Sequence, residues 1–213
     1  MRSLRFRQGL MVVPLIAALG TGLGAGVSQA GSECQGEATT VSFGSGNDTY
    51  SGTNGRDVIW AGSGHDEIHG RNGDDLICLG NGNDEATGDS GRDEIHGGSG
   101  NDEIKGSEVY TDFAPCCYSD DFYGGNGIDT LEGGEGDDDL YGDDGNDTLK
   151  GDDGSDHAEG GKGNDTIKGK IGDDNMFGNQ DDDELTGGAD DDNGYGGLGN
   201  DDCSNNTEDQ DSC

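Results

Sequence analysis

Apolar residues recur along this chain at every ninth position. Between Gly44 and Gly106 that slot holds Tyr50, Ile59, Ile68, Ile77, Ala86, Ile95 and Ile104; between Gly125 and Gly187 it holds Leu131, Leu140, Leu149, Ala158, Ile167, Met176 and Leu185. The residues on either side are mostly polar, so each apolar residue reads as the inward-facing centre of a short strand. In a nine-residue frame begun at Gly44, positions nine, one and three are mostly Gly. Position four is often Asn or Asp, types that tolerate a left-handed backbone and turn locally. The pattern therefore predicts a three-residue strand and a six-residue glycine turn per nonapeptide.

The frame runs without slippage from Gly44 to Asn205, which is 162 residues or 18 nonapeptides. Its fifth position is Asp in 17 of the 18, and only Thr111 breaks the series. Asp is about one residue in six here, so chance would place roughly three in that column. A repeat of this fidelity outranks composition, which alone describes a disordered chain: 45 Gly, two Pro and 27% hydrophobic residues. Disorder under all conditions does not explain the strict phase, whereas disorder in the absence of a ligand is expected. All 47 acidic residues follow residue 30, while three of the 11 basic ones precede it, so the segment from Gly31 onward carries 8 − 47 = −39. Nucleic acid and anionic membrane are poor partners for such a surface, and a compact form needs cations to offset its self-repulsion.

Residues 1–30 have the pattern of a secretory signal peptide: Arg2, Arg5 and Arg7, then an apolar core from Leu10 to Leu23, then Ser28-Gln29-Ala30 as a cleavage site. No other segment is apolar enough to insert into a membrane. Residues 31–43 form a leader containing Cys34, and Thr39 to Phe43 is expected to be a first strand that caps the array. Residues 107–124 depart from the pattern but span two frames, after which the register resumes; Phe113 and Phe122 still fall on the apolar slot. The expectation is a decorated or partly looped coil that preserves the stack. Beyond Gly187 the pattern frays, with Gly194 and Cys203 in apolar slots, and residues 206–213 are a polar tail.

The stretch Gly97-Gly98-Ser99-Gly100-Asn101-Asp102-Glu103-Ile104-Lys105 reads G-G-x-G-x-D-x-U-x, with U a large apolar residue. Over residues 44–205 the frame resembles the calcium-binding nonapeptide of the RTX (repeats-in-toxin, haemolysin-type) family. The resemblance implies an all-β chain folded as a right-handed parallel β-roll, a β-solenoid of 18 nonapeptide repeats in about nine coils. Two nonapeptides make a coil, with a strand on each face and a glycine turn at each edge. Ca²⁺ sits between turns of successive coils, held by turn carbonyls and Asp side chains. The physical chemistry agrees: calcium takes six to eight hard oxygen ligands, and glycine lets several carbonyls face one centre.

With two frames per coil, one edge is expected to carry Asp48, Asp66, Asp84, Asp102, Asp120, Asp138, Asp156, Asp174 and Asp192. The other carries Asp57, Asp75, Asp93, Thr111, Asp129, Asp147, Asp165, Asp183 and Asp201. Nine turns per edge leave at most 16 sites, and about 14 once Thr111 spoils the two beside it. Each coil buries only two apolar residues, so metal binding must supply much of the folding free energy. The chain is expected to be unfolded in calcium-poor surroundings and folded outside the cell.

Six cysteines in a secreted chain predict disulfides, with 15 possible connectivities and Cys203–Cys213 as a tail clamp. Paired C-x-x-C spacing for zinc is missing. His65, His69, His96 and His157 read as scattered surface residues, with His69 and His96 on opposite faces. Trp60, Tyr118, Phe122 and Tyr123 pack locally or offer an aromatic sugar platform. Neither H-E-x-x-H nor G-x-S-x-G occurs, so an enzyme is not expected. The leading expectation is a secreted calcium-binding β-roll with a structural or interaction role. The alternative is a module that binds a polysaccharide or a cell surface through its flat faces; ice binding is disfavoured, because outward positions form no Thr ladder.

Overall fold

The computed structural model describes residues 33–107 and 119–204. Apart from a small N-terminal ribbon, the strands form two parallel sheets of nine strands each. Sheet 1 runs from Val41–Ser42 through Val58–Ser63, Leu76–Asn81, Glu94–Ser99, Asp121–Asn126, Asp139–Asp144, His157–Lys162 and Asn175–Gln180 to Asn193–Leu198. Sheet 2 runs from Thr49–Ser51 through Glu67–Asn72, Glu85–Ser90, Glu103–Ser107, Thr130–Glu135, Thr148–Asp153, Thr166–Ile171 and Glu184–Ala189 to Asp202–Ser204. The chain lays one strand in each sheet alternately, which makes a right-handed parallel β-roll. In-register partners lie 18 residues apart, as in Leu131↔Leu149↔Ile167 and Leu140↔Ala158↔Met176. The position-seven side chains of both sheets meet in one continuous core, closed by Phe43 and Tyr50 at one end and Cys203 at the other.

Three expectations need correction. Strands are six residues long and turns three, because coil-to-coil pairing continues through positions one and two, as in Asp139↔His157 to Asp144↔Lys162. Position nine drops out of the pairing but also points inward, so each strand alternates buried and outward residues twice. Second, positive φ falls at positions one and three, not at position four. Position-four Asn and Asp reach across coils instead: Asn101 Oδ1 accepts the Ile128 N–H at 3.0 Å, and Asp137 Oδ1 accepts the Ser155 N–H at 2.9 Å.

The third correction concerns residues 107–124, which do not fill a whole coil. Glu94–Ser99 pairs with Asp121–Asn126, and Glu103 pairs with Thr130, so the chain steps 27 residues there and not 18. The step between paired strands is thus one nonapeptide longer there than elsewhere. An insertion of nine keeps every side chain on its inward or outward side, yet it moves each later frame to the opposite sheet. A period-nine pattern is blind to that exchange. Its consequence is a sorting of the outer faces at position eight. Sheet 1 collects Trp60, Cys78, His96, Tyr123, Tyr141, Glu159, Phe177 and Tyr195, all but Cys78 and Glu159 with rings, while sheet 2 collects His69, Thr87, Lys105, Glu132, Lys150, Lys168 and Thr186. His69 and His96 do lie on opposite faces.

At the N-terminus, Glu33–Cys34 and Glu37–Ala38 form a two-stranded antiparallel ribbon. Val41–Ser42 then joins sheet 1 beside Val58–Ser63, a shorter first strand than the sequence suggests. The ribbon lies on the outer face of sheet 1, where Cys34 is disulfide-bonded to Cys78. Cys34 and Cys78 are buried there with Val58 and Leu76 under Trp60. Cys203 is disulfide-bonded as well. The expected Cys203–Cys213 pairing, Thr111, Phe113 and Tyr118 lie outside the described residues, as do residues 1–32.

Candidate metal centres

All 17 fifth-position Asp residues stand in the turns between strands, in two ladders up the edges of the roll. The 27-residue step changes their membership. One ladder is Asp48, Asp66, Asp84, Asp102, Asp129, Asp147, Asp165, Asp183 and Asp201; the other is Asp57, Asp75, Asp93, Asp120, Asp138, Asp156, Asp174 and Asp192. Asp120, Asp138, Asp156, Asp174 and Asp192 therefore belong to the edge expected for Asp57, and Asp129 through Asp201 to the edge expected for Asp48. Thr111 interrupts neither ladder.

Each rung is built the same way. Oδ1 of one Asp accepts the backbone N–H of the Asp one coil earlier, over 2.6–3.1 Å. Examples are Asp147 Oδ1 with Asp129 N–H at 2.8 Å and Asp156 Oδ1 with Asp138 N–H at 2.9 Å. The carbonyl of each Asp except the last of each ladder is taken by the position-six N–H of the next coil, as in Asp138 C=O with His157 N–H at 2.8 Å. Oδ2 is different. In 13 of these residues it is buried with no hydrogen-bond partner. A buried carboxylate oxygen left bare costs on the order of 1–3 kcal/mol or more, and the same omission thirteen times over points to a missing ligand.

The position-nine glycines outline where such a ligand would sit. A Cβ on Gly133 would lie 2.5 Å from Asp138 Oδ2 and 2.7 Å from the Gly151 carbonyl oxygen. On Gly124 it would lie 2.7 Å from Asp129 Oδ2 and 2.9 Å from the Gly142 carbonyl oxygen. The same pairing of an aspartate oxygen with a carbonyl oxygen of the next coil recurs at Gly70 and Gly142. Each glycine thus leaves a space that a side chain would fill, faced by hard oxygens. Among the described residues no three His, Cys, Asp or Glu side chains converge on one point, so a cation held here draws on main-chain carbonyls. That donor set fits calcium, which accepts carbonyls and irregular geometry, better than zinc, whose structural sites are tetrahedral sets of Cys and His.

The electrostatics agree. Burial raises the carboxyl of Asp138 from 3.8 to about 7 and that of Asp156 to about 8, with only the backbone hydrogen bond opposing it. Asp93 and Asp102 rise to about 7 for the same reason. With no cation, the folded form therefore holds protons that the unfolded chain releases near pH 4. The stability this contributes is complete below pH 4 and disappears as pH rises through 7 to 8. In chelator, the roll is expected to have more β structure at pH 5 than at pH 8 by far-UV circular dichroism. A pH-independent spectrum would contradict the burial of these carboxyls.

The N-terminal rungs differ from the rest. Asp57 Oδ2 accepts the Thr53 N–H at 2.7 Å and the Thr53 hydroxyl at 3.0 Å. Ala61 and Leu79 occupy position nine ahead of Asp66 and Asp84, and both are fully buried in the core. The sequence reading missed position nine as an inward slot; the signal was present, since Ala61 and Leu79 alone of the regular frames put an apolar residue there.

No curated protein matches the chain. The family model of the RTX calcium-binding nonapeptide repeat matches residues 44–77, 79–108, 118–149, 150–185 and 169–203. Those matches cover most of the chain and the whole described roll from its first repeat, and their copies meet the nonapeptide turns that carry the two Asp ladders. The chain belongs to the RTX calcium-binding repeat family.

Proposed function

We propose that the chain is a secreted calcium-binding protein whose β-roll is stabilised by ions along both edges, and that it serves as a structural or interaction scaffold. The single observation that carries this is the row of bare Oδ2 atoms, most of them with a position-nine glycine ahead of them; at Asp75, Asp102, Asp129, Asp138, Asp147, Asp174 and Asp183 the glycine-sized space is also faced by a carbonyl of the next coil. Eleven rungs combine the bare oxygen with Gly at position nine: Asp75, Asp93, Asp102, Asp129, Asp138, Asp147, Asp156, Asp165, Asp174, Asp183 and Asp192. These eleven are the proposed centres, fewer than the 14 to 16 that spacing alone gives. Asp57, Asp66 and Asp84 are set apart by Thr53, Ala61 and Leu79, and the Oδ2 atoms of Asp48, Asp120 and Asp201 are not among the bare ones. An ion at each centre supplies positive charge where buried carboxylates repel one another.

Secretion rests on the signal-like residues 1–30 and on the Cys34–Cys78 disulfide, which fits an oxidising compartment. The polysaccharide reading gains little from the aromatic face. His96, Tyr123 and Tyr141 stack on one another at 4.6 and 4.9 Å with planes within 4° and 8°, and Phe177 stacks on Tyr195 at 5.1 Å. Rings so arranged stabilise the roll and present edges to solvent, whereas sugar stacking needs open faces.

The test is a calcium titration of chelated residues 31–213, followed by far-UV circular dichroism, with magnesium as control. A cooperative gain of β structure with calcium alone is expected. A spectrum unchanged by calcium would overturn the proposal.

A further inference from the structure

We infer that the first two coils, residues 34–81, form a calcium-independent nucleus that sets the register for the calcium-dependent remainder. The inference rests on the calcium reading for the remainder of the roll, not for the nucleus itself; Asp75, whose space beside Gly70 is faced by the Gly88 carbonyl, is the centre that joins the nucleus to the next coil.

Four independent features separate these coils from those that follow. Ala61 and Leu79 fill, with apolar side chains, the slot that is glycine in every later described frame. Their carbon atoms enlarge the core where the other coils face oxygen. Asp57 Oδ2, bare in its counterparts, is satisfied by Thr53 through two hydrogen bonds. Position six of the outer face, polar in the other frames, carries Val58 and Leu76 in a second buried cluster beneath the N-terminal ribbon. The ribbon is itself fixed, covalently by Cys34–Cys78 and ionically by Glu37 with Arg56 at 2.8 Å. Thr40 adds bonds in both directions to Val58, its N–H and hydroxyl donating to the carbonyl and its Oγ1 accepting the N–H. Two apolar layers and a crosslink thus replace what ions would do.

A solenoid gains stability mainly from interfaces between neighbouring repeats, so its first coil is the costly one to order. Here that coil is held by packing and a disulfide. Register is the second difficulty. The frames are so alike that any strand can pair with any other, and the chain already contains one 27-residue step among its 18-residue steps. A preformed edge at Leu76–Asn81 offers Glu94–Ser99 a single template. Calcium then extends the roll in one direction, toward the C-terminus.

The measurement is hydrogen exchange by mass spectrometry on the oxidised full chain, in EGTA and in millimolar calcium. In EGTA, peptides covering 58–61 and 76–79 are expected to exchange about 100-fold or more below the intrinsic rate, while those covering 139–198 exchange freely. In calcium both are protected. Uniform exchange in EGTA, or stronger protection in the C-terminal half, overturns the inference. Ala61→Gly with Leu79→Gly supplies the second arm: this variant should lose its EGTA protection and regain it in calcium. Full retention of protection in EGTA would show that the apolar slot is not the source and would sink the idea. Should calcium fail to protect residues 139–198, the calcium reading falls while the nucleus stands.

Discussion

Asp147→Asn should stabilise the metal-free roll and weaken the calcium-loaded one. The side chain is almost fully buried, its Oδ1 accepts the Asp129 N–H at 2.8 Å, and its Oδ2 is bare. Asn keeps the Oδ1 acceptor. It replaces Oδ2 by an amide that can donate toward the Gly160 carbonyl, the oxygen facing the same space beside Gly142. Burial, aided by Asp129, Asp165 and Asp143, holds the Asp147 carboxyl at about 7, so at pH 8 the metal-free roll buries an unpaired charge that the substitution removes. A gain on the order of 1–3 kcal/mol is expected in chelator at pH 8. In calcium the same change deletes a charged ligand, and the calcium midpoint should rise. Circular dichroism under both conditions reads the two signs. A change of the same sign in both would mean that Oδ2 does not face a cation.

Gly142→Ala is expected to weaken the folded roll and to remove one bound ion. Gly142 is outside the left-handed region, so an alanine there meets no backbone penalty. Its Cβ, however, would lie 2.5 Å from the Gly160 carbonyl oxygen and 2.7 Å from Asp147 Oδ2. Filling that space should cost ~1–3 kcal/mol in the folded roll with or without calcium, and in calcium it should also lower the number of bound ions by one. Calorimetric titration of the variant beside the parent gives the stoichiometry. Equal ion counts and equal stability would place the ions elsewhere.

Much of the architecture was legible because two side-chain periods coincide in it. The nine-residue recurrence of Ile and Leu identifies the inward centre of each strand, and Phe122, in the irregular region, is as deeply buried as Ile104 before it. Asp at position five marks the turns. What the period could not reveal was how frames are shared between edges. The one 27-residue step preserves phase in sequence while exchanging Asp120 with Asp129 in space, and only the pairing of Glu94–Ser99 with Asp121–Asn126 exposes it. Position nine was hidden for another reason. Glycine has no side chain whose hydrophobicity could betray an inward direction, so the slot becomes visible only where Ala61 and Leu79 occupy it. The capping of Asp57 by Thr53 likewise depends on a four-residue contact within one turn that no repeat-wide average reveals.

The most direct test of the central claim is a crystal structure of the calcium-loaded protein with the ions located by anomalous scattering. Peaks are expected along both edges, each between an Asp Oδ2 such as that of Asp138 and a carbonyl of the next coil such as that of Gly151, and absent beside Ala61 and Leu79. Ions found only on the outer acidic residues, with these Oδ2 atoms still bare, would contradict the account.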